Sequence, residues 1–93
     1  MNVQLLRMST GETIIVELLS WTNSKVEVKN PCVIIQNEKG VGFMPMVPYA
    51  NADVLQLAEN HVIFQVEPVL ELVNEYNRIF GSGIVLASAN DIK

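Results

Sequence analysis

The sequence has few of the residues that usually mark a catalytic or metal-binding site. It contains one cysteine, Cys32, and one histidine, His61. An intrachain disulfide is therefore excluded, and the two residues do not supply a zinc site, which needs about four ligands at characteristic spacings. No motif places two carboxylates together for acid–base catalysis. We predict that the protein is not an enzyme and uses no metal and no cofactor.

Basic residues and long apolar runs are also scarce. Lys and Arg number 6 against 10 Asp and Glu, which gives a formal net charge of −4. This balance argues against a protein that holds nucleic acid through overall positive charge, but it is compatible with a locally basic surface. No apolar run reaches the length of a membrane span, and the first residues do not resemble a signal peptide. Together with the single cysteine, these features predict a cytoplasmic protein.

Apolar residues, by contrast, are abundant. They make up 49% of the 93 residues, whereas charged residues make up 17%. A chain of this length buries a smaller share of its surface than a long one, so part of this apolar content is expected at the surface. Exposed apolar patches usually mark interfaces. The composition therefore predicts one small domain that associates with copies of itself.

The hydrophobic pattern predicts about five short strands linked by turns. The predicted strands cover 3–8, 12–21, 25–36 and 61–66, and Gly11 lies in the first turn. Alternation of apolar and polar residues is strict at the start of the third strand and fails in the second. Spacing of this kind is typical of a small, strongly bent barrel or a compact β-sandwich.

Prolines interrupt the pattern in two places. Pro31 lies within the third strand, which is expected to bend or bulge there because proline cannot donate to a sheet ladder. Pro45 and Pro48 make the next segment a broken or edge strand that leads into a loop. Residues 53–57 fit either a strand or a single helical turn, and the sequence leaves both interpretations open.

The spacing of apolar residues changes to a helical period near the end of the chain and predicts a helix over 68–80. Pro68 suits the first helical position, and Gly81 suits the end. The apolar stripe consists of Val69, Leu72, Val73, Tyr76 and Phe80. Residues 81–93 are interpreted as a tail that follows a domain over 1–80.

The second predicted strand carries apolar side chains on both faces. One face is expected to fill the core and consists of Ile14, Val16 and Leu18. In a sheet with one wet side, the opposite face would expose its apolar residues to water. We therefore expect a neighbouring element or subunit to cover it. The predicted subunit interface comprises Ile15, Leu19, Phe43, Met44 and Met46.

The stretch LRMSTGETIIVELLSWTNSKVEVKNP resembles the opening of Sm-like proteins, the LSm and Hfq group. Gly11, Ile14 and Leu18 match the first Sm motif, and Thr22-Asn23 matches its polar turn. The sequence departs from the family where VIFQVEP replaces the second Sm motif. The whole chain also resembles small proteins of this fold from tailed marine phages of the cyanophage type. That resemblance is carried by Thr10 to Ile15, Asn30-Pro31, Pro68, Glu71-Leu72 and Tyr76.

The resemblance implies a mainly β fold, a five-stranded Sm-like barrel with one C-terminal α-helix. It also implies a cyclic homo-oligomer of about five to seven copies. Its ligand would be single-stranded RNA or DNA, and its location would be the host cytoplasm if a phage encodes it. The alternative is a structural or protein-docking ring that binds no nucleic acid.

The candidate nucleic-acid site comprises Trp21, Asn23, Lys25 and Lys29. Aromatic and amide groups stack on and read bases, and lysines contact phosphates. The simpler interpretation is that the lysines and Glu27 form a solvated face of mixed charge, with Trp21 in the core or at an interface. Arg78 is expected to pair with Glu75 or Glu71.

Overall fold

Strands form where the alternating pattern predicts them, and a helix follows. The computed structural model describes residues 2–81, so the predicted tail lies outside the described residues except for Gly81. The elements are β1 (Val3–Met8), β2 (Thr13–Thr22), β3 (Lys25–Asn37), β4 (Gly40–Pro45), β5 (Val54–Ala58), a 3₁₀ turn (Glu59–His61), β6 (Val62–Val66) and α1 (Leu70–Phe80). The predicted helix is confirmed, and it begins two residues later than expected.

The strands form one open antiparallel sheet in the order β4-β3-β2-β1-β6, and β5 also pairs with β3. The sheet therefore has six strands instead of the predicted five, and it is not closed. The extra strand fits because β3 is 13 residues long. Residues 25–29 of β3 pair with β5, whereas residues 32–37 pair with β4. The segment interrupted by Pro45 and the segment 53–57, which the sequence left open, are thus both strands, and they pair with successive halves of β3.

Gly11 closes the turn between β1 and β2. Its φ angle is 100°, and its N–H donates to the Met8 carbonyl oxygen at 2.9 Å. A side chain at this position would meet no atom within 4 Å. The preference for glycine therefore comes from the left-handed backbone conformation rather than from crowding.

The bend in β3 lies at Asn30 and Pro31. Asn30 has a φ angle of 49°, a left-handed conformation that asparagine tolerates better than most residues. Its N–H donates to the Asp53 carbonyl oxygen at 2.7 Å. Pro31 lies where β3 changes partner from β5 to β4, so neither ladder needs the N–H that proline lacks.

Backbone hydrogen bonds of the 3₁₀ turn show that β2 is strongly curved. The Glu59 N–H donates to the Ser24 carbonyl oxygen beyond one end of β2, and the Ser9 N–H donates to the His61 carbonyl oxygen beyond the other end. A straight strand of ten residues would span about 33 Å, whereas three residues reach only about 10 Å. The sheet must therefore curl so that both ends of β2 approach the same short turn.

Each face of the sheet has its own core. The cluster on one face consists of Leu6, Met8, Ile14, Val16, Val26 and Val28, all buried. On the other face α1 covers Val3, Ile15 and Cys32 with its Leu72, Val73, Tyr76 and Phe80. We call this second side the helix face. Ile14, Ile15 and Val16, which lie on the two sides of β2, are thus buried within a single chain.

Tyr76 fastens α1 to the bend of β3. Its side chain is fully buried, and the centre of its ring lies 4.9 Å from the ring centre of Phe80 and 6.1 Å from that of Phe43. The hydroxyl group is within hydrogen-bonding distance of the carbonyl oxygens of Lys29, at 2.9 Å, and Asn30, at 2.8 Å. Burial raises the pKa of Tyr76 well above its ordinary value, so the hydroxyl remains protonated and donates to these acceptors.

Cys32 is expected to be inert in the folded protein. Its thiol is buried beneath α1, and burial raises the pKa of Cys32, so little of the reactive thiolate forms at neutral pH. We predict that a thiol-specific reagent such as DTNB labels the native protein slowly and labels it fully once urea unfolds the chain. Labelling of the native protein as fast as of the unfolded protein would contradict the packing of α1.

Candidate nucleic-acid interface

Trp21 lies near the end of β2, on the face opposite to α1. It pairs with Val26, a member of the first core cluster, and directly opposed residues in an antiparallel pair point to the same side. The indole Nε1–H donates to the Glu59 carboxylate at 2.5 Å. Its polar group is therefore already bonded, and a negative charge lies beside it where a phosphate would be repelled.

Asn23 occupies the two-residue turn between β2 and β3. The preceding and following residues, Thr22 and Lys25, are paired, so Asn23 and Ser24 form the whole turn. The Ser24 carbonyl oxygen accepts the Glu59 N–H at 2.9 Å, which ties the turn to the 3₁₀ segment. Asn23 is exposed at this junction.

Lys25 and Lys29 point to the helix face of the sheet. Lys29 is opposite Glu17 of β2, and Lys25 is opposite Thr22, while Glu27 lies between the two lysines on the same side. Neither lysine is within 4.0 Å of a carboxylate oxygen among residues 2–81. The predicted set is therefore divided: the two cations share one face, and Trp21 lies on the other.

The residues predicted for a subunit interface have different environments. Ile15 is fully buried by α1, and Phe43 packs against Tyr76, so the chain itself covers Ile15 completely and Phe43 in part. The sequence correctly indicates that Ile15 needs a cover, but the cover is the helix and leaves no contact for a partner. Met46 packs against the first core cluster, whereas Leu19 and Met44 remain exposed.

Arg7 and Phe64 form a pair that sequence reasoning missed. They are opposite each other on β1 and β6, and Thr13 of β2 is opposite Arg7 on its other side. The Arg7 Nε–H donates to the Thr13 hydroxyl at 2.9 Å, and the guanidinium carbon lies 5.9 Å from the centre of the Phe64 ring. Local sequence patterns do not predict this contact, because β1 and β6 come from opposite ends of the domain.

Arg78 and the pair of Ser9 and His61 do not form a second candidate site. Arg78 forms a bidentate pair with Glu75, as predicted, and this contact lowers the pKa of Glu75 and raises that of Arg78. Ser9 Oγ lies 3.0 Å from His61 Nδ1, but no carboxylate among residues 2–81 is hydrogen-bonded to the imidazole. In the described part of the chain, no three His, Cys, Asp and Glu side chains are grouped to hold a metal ion.

No protein-family model matches the chain, and no curated protein sequence matches it. The one helix among residues 2–81 is too short and too polar to cross a membrane.

Proposed function

We propose that the protein is an Sm-like barrel subunit that assembles into a closed homo-oligomeric ring and binds single-stranded nucleic acid. The curvature of β2 supports the barrel, because the 3₁₀ turn contacts both ends of that strand. The order of the first elements also supports the proposal, because a short β1, a turn with Gly11, a curved β2, a polar turn and β3 follow one another as in the Sm-like proteins that the sequence resembles.

Two of the three edge strands in the described sheet support head-to-tail assembly. Among residues 2–81, β6 pairs only with β1, and β5 pairs only with β3, so each strand has a free row of N–H and C=O groups. β4 is also at an edge, but Pro45 ends it and lacks an N–H donor, whereas β5 contains no proline. In this proposal β6 of one copy pairs with β5 of the next, and such a heterologous contact closes into a ring when the rotation permits.

Exposed apolar residues on β6 support the same contact. Ile63 is 62% exposed and Val66 is 47% exposed, on a strand of five residues. A long exposed apolar edge is an aggregation hazard that natural proteins usually protect with charges, prolines or a covering element. Strand β6 carries no charged residue, so a second copy is the cover that we propose.

The observation that carries the nucleic-acid proposal is the position of Lys25 and Lys29. Both ammonium groups lie on the helix face without a carboxylate within 4.0 Å among the described residues. A ring repeats this pair once per copy, so a chain with a net charge of −4 can still present a continuous series of cations to a phosphate backbone.

Fluorescence anisotropy with short labelled RNA and DNA tests this proposal. We expect salt-sensitive binding by the wild type, and we expect Lys25→Glu/Lys29→Glu to raise the Kd at least about tenfold, because phosphate contacts dominate such affinity. Lys39→Glu/Arg78→Glu makes the same change in net charge at other sites and is the matched control. Equal losses in both variants, or no loss in the first, would contradict a binding role for Lys25 and Lys29.

A ring that docks proteins without binding nucleic acid is the second candidate. The hydrogen bond from Trp21 to Glu59 favours it, because the predicted base-stacking residue has an acid beside it. This candidate predicts a ring in solution and no salt-sensitive binding of any oligonucleotide in the micromolar range. Recovery of protein partners from a nuclease-treated lysate would then support it.

A further inference from the structure

Arg7 is a cation that the fold holds in place without pairing it with an acid among residues 2–81. Its Nε–H is bonded to Thr13, and its guanidinium group lies beside the Phe64 ring. No carboxylate oxygen lies within 4.0 Å of it, since the only ion pair among residues 2–81 joins Arg78 and Glu75. Nε bonds to Thr13, and the two terminal nitrogens have no hydrogen-bond partner in the described part of the chain, so they can donate to an anion in the bidentate geometry that phosphate accepts.

Phe64 supplies an aromatic surface next to this cation. The side chain is 50% exposed although the ring is large and apolar. Single-stranded nucleic acids are held by this combination, in which cations bind the backbone and aromatic rings stack on successive bases. A phosphate on Arg7 would place the neighbouring base of a flexible strand within reach of the Phe64 ring.

The register of the strands puts Arg7 on the same side of the sheet as the two lysines. Arg7 is opposite Thr13, and two residues later along β2 Ile15 lies under α1 on the helix face. Lys29 is opposite Glu17, which is two residues beyond Ile15 and points to the same side. The helix face therefore carries one cation, Arg7, near β6 and two cations, Lys25 and Lys29, near β5.

We propose that Arg7 and Phe64 form a nucleotide-binding point, in which the guanidinium group of Arg7 binds a phosphate and the ring of Phe64 stacks on the adjacent base. This inference rests on the proposed function, since the ligand is the same single-stranded nucleic acid, and it assigns base contact to a residue other than Trp21. Thr13 acts as a positioning residue, because it orients the guanidinium group through Nε.

Two substitutions separate the phosphate contact from the base contact. With a short labelled oligonucleotide, Arg7→Gln is expected to weaken binding about fivefold to tenfold and to reduce the slope of log K against log salt by about 0.7, the value for one phosphate on a single strand. Phe64→Leu is expected to weaken binding about tenfold with an unchanged salt slope, and Phe64→Tyr is expected to restore it. Arg78→Gln is the control for loss of one charge.

The outcomes also distinguish this site from the proposed function itself. If the wild type binds and Arg7→Gln and Phe64→Leu bind equally well, the nucleotide-binding point is wrong while the role of the lysines stands. If the wild type binds no oligonucleotide at low salt, the proposed function fails and this site fails with it. Thermal unfolding by circular dichroism within a few degrees of the wild type shows that a variant's loss of binding is not a loss of fold.

Discussion

Replacing Tyr76 with alanine is expected to lower the free energy of unfolding by about 3 to 5 kcal/mol, the usual cost of truncating a buried aromatic residue. Tyr76 is the one fully buried residue of α1, and it joins the helix to Ile15 and Cys32 of the sheet. Small domains are stable by only about 5 to 15 kcal/mol, so this loss is a large share of the total. Urea unfolding followed by circular dichroism measures it.

The hydroxyl group of Tyr76 has its own expected contribution. Tyr76→Phe keeps the ring but leaves the carbonyl oxygens of Lys29 and Asn30 without their donor, which is expected to cost about 1 to 3 kcal/mol. Tyr49, which is 97% exposed, provides the control, and Tyr49→Ala should change stability by less than about 0.5 kcal/mol.

A second readout ties the Tyr76 variants to the helix itself. In Tyr76→Ala, Cys32 should react with DTNB faster than in the wild type, because the thiol lies directly beneath α1. If Tyr76→Ala unfolds at the same urea concentration as the wild type and its Cys32 stays unreactive, α1 does not stabilise the helix face of the sheet.

Two lysines on β6 are expected to convert the proposed ring into monomers. In Ile63→Lys/Val66→Lys, charges replace exposed apolar residues on the strand that we propose to pair with a second copy, and edge lysines are a common natural device against strand addition. Because both side chains are about half exposed or more, the monomer itself should stay folded. The expected mass in light scattering is 10.3 kDa.

The matched control places two lysines away from this contact. Val41 of β4 and Ile79 of α1 are also exposed apolar residues, and Val41→Lys/Ile79→Lys adds the same charge. This variant should keep the mass of the wild type. Dissociation of the control but not of the β6 variant would move the interface to β4 or α1 and overturn the pairing of β5 with β6.

The sequence predicts the elements well because their signals are local. Strict alternation defines β3, and the apolar stripe with Pro68 and Gly81 defines α1 within two residues. The bend at Pro31 is likewise a property of one residue that cannot donate to a ladder. β4 and β5 are harder to predict, because Pro45 interrupts the first and the second has only five residues. Each forms because the long β3 offers it one half of its length as a partner.

Contacts between distant segments could not be predicted in the same way. Alternation indicates that Ile15 must be covered, but it does not show whether a helix or another copy does so. It also does not show that the pairing of Trp21 with Val26 turns the indole away from the lysines. The contact between Arg7 and Phe64 forms because β6 lies beside β1. This pairing depends on the topology of the sheet and cannot be read from the sequence of either strand.

The most direct test of the proposed ring is the mass of the wild-type protein in solution, measured by size-exclusion chromatography with multi-angle light scattering. The account predicts a single species whose mass is a whole multiple of 10.3 kDa, about five to seven copies, and which does not change on dilution through the micromolar range. A mass of 10.3 kDa at every concentration would contradict the ring and, with it, the repeated display of Lys25 and Lys29.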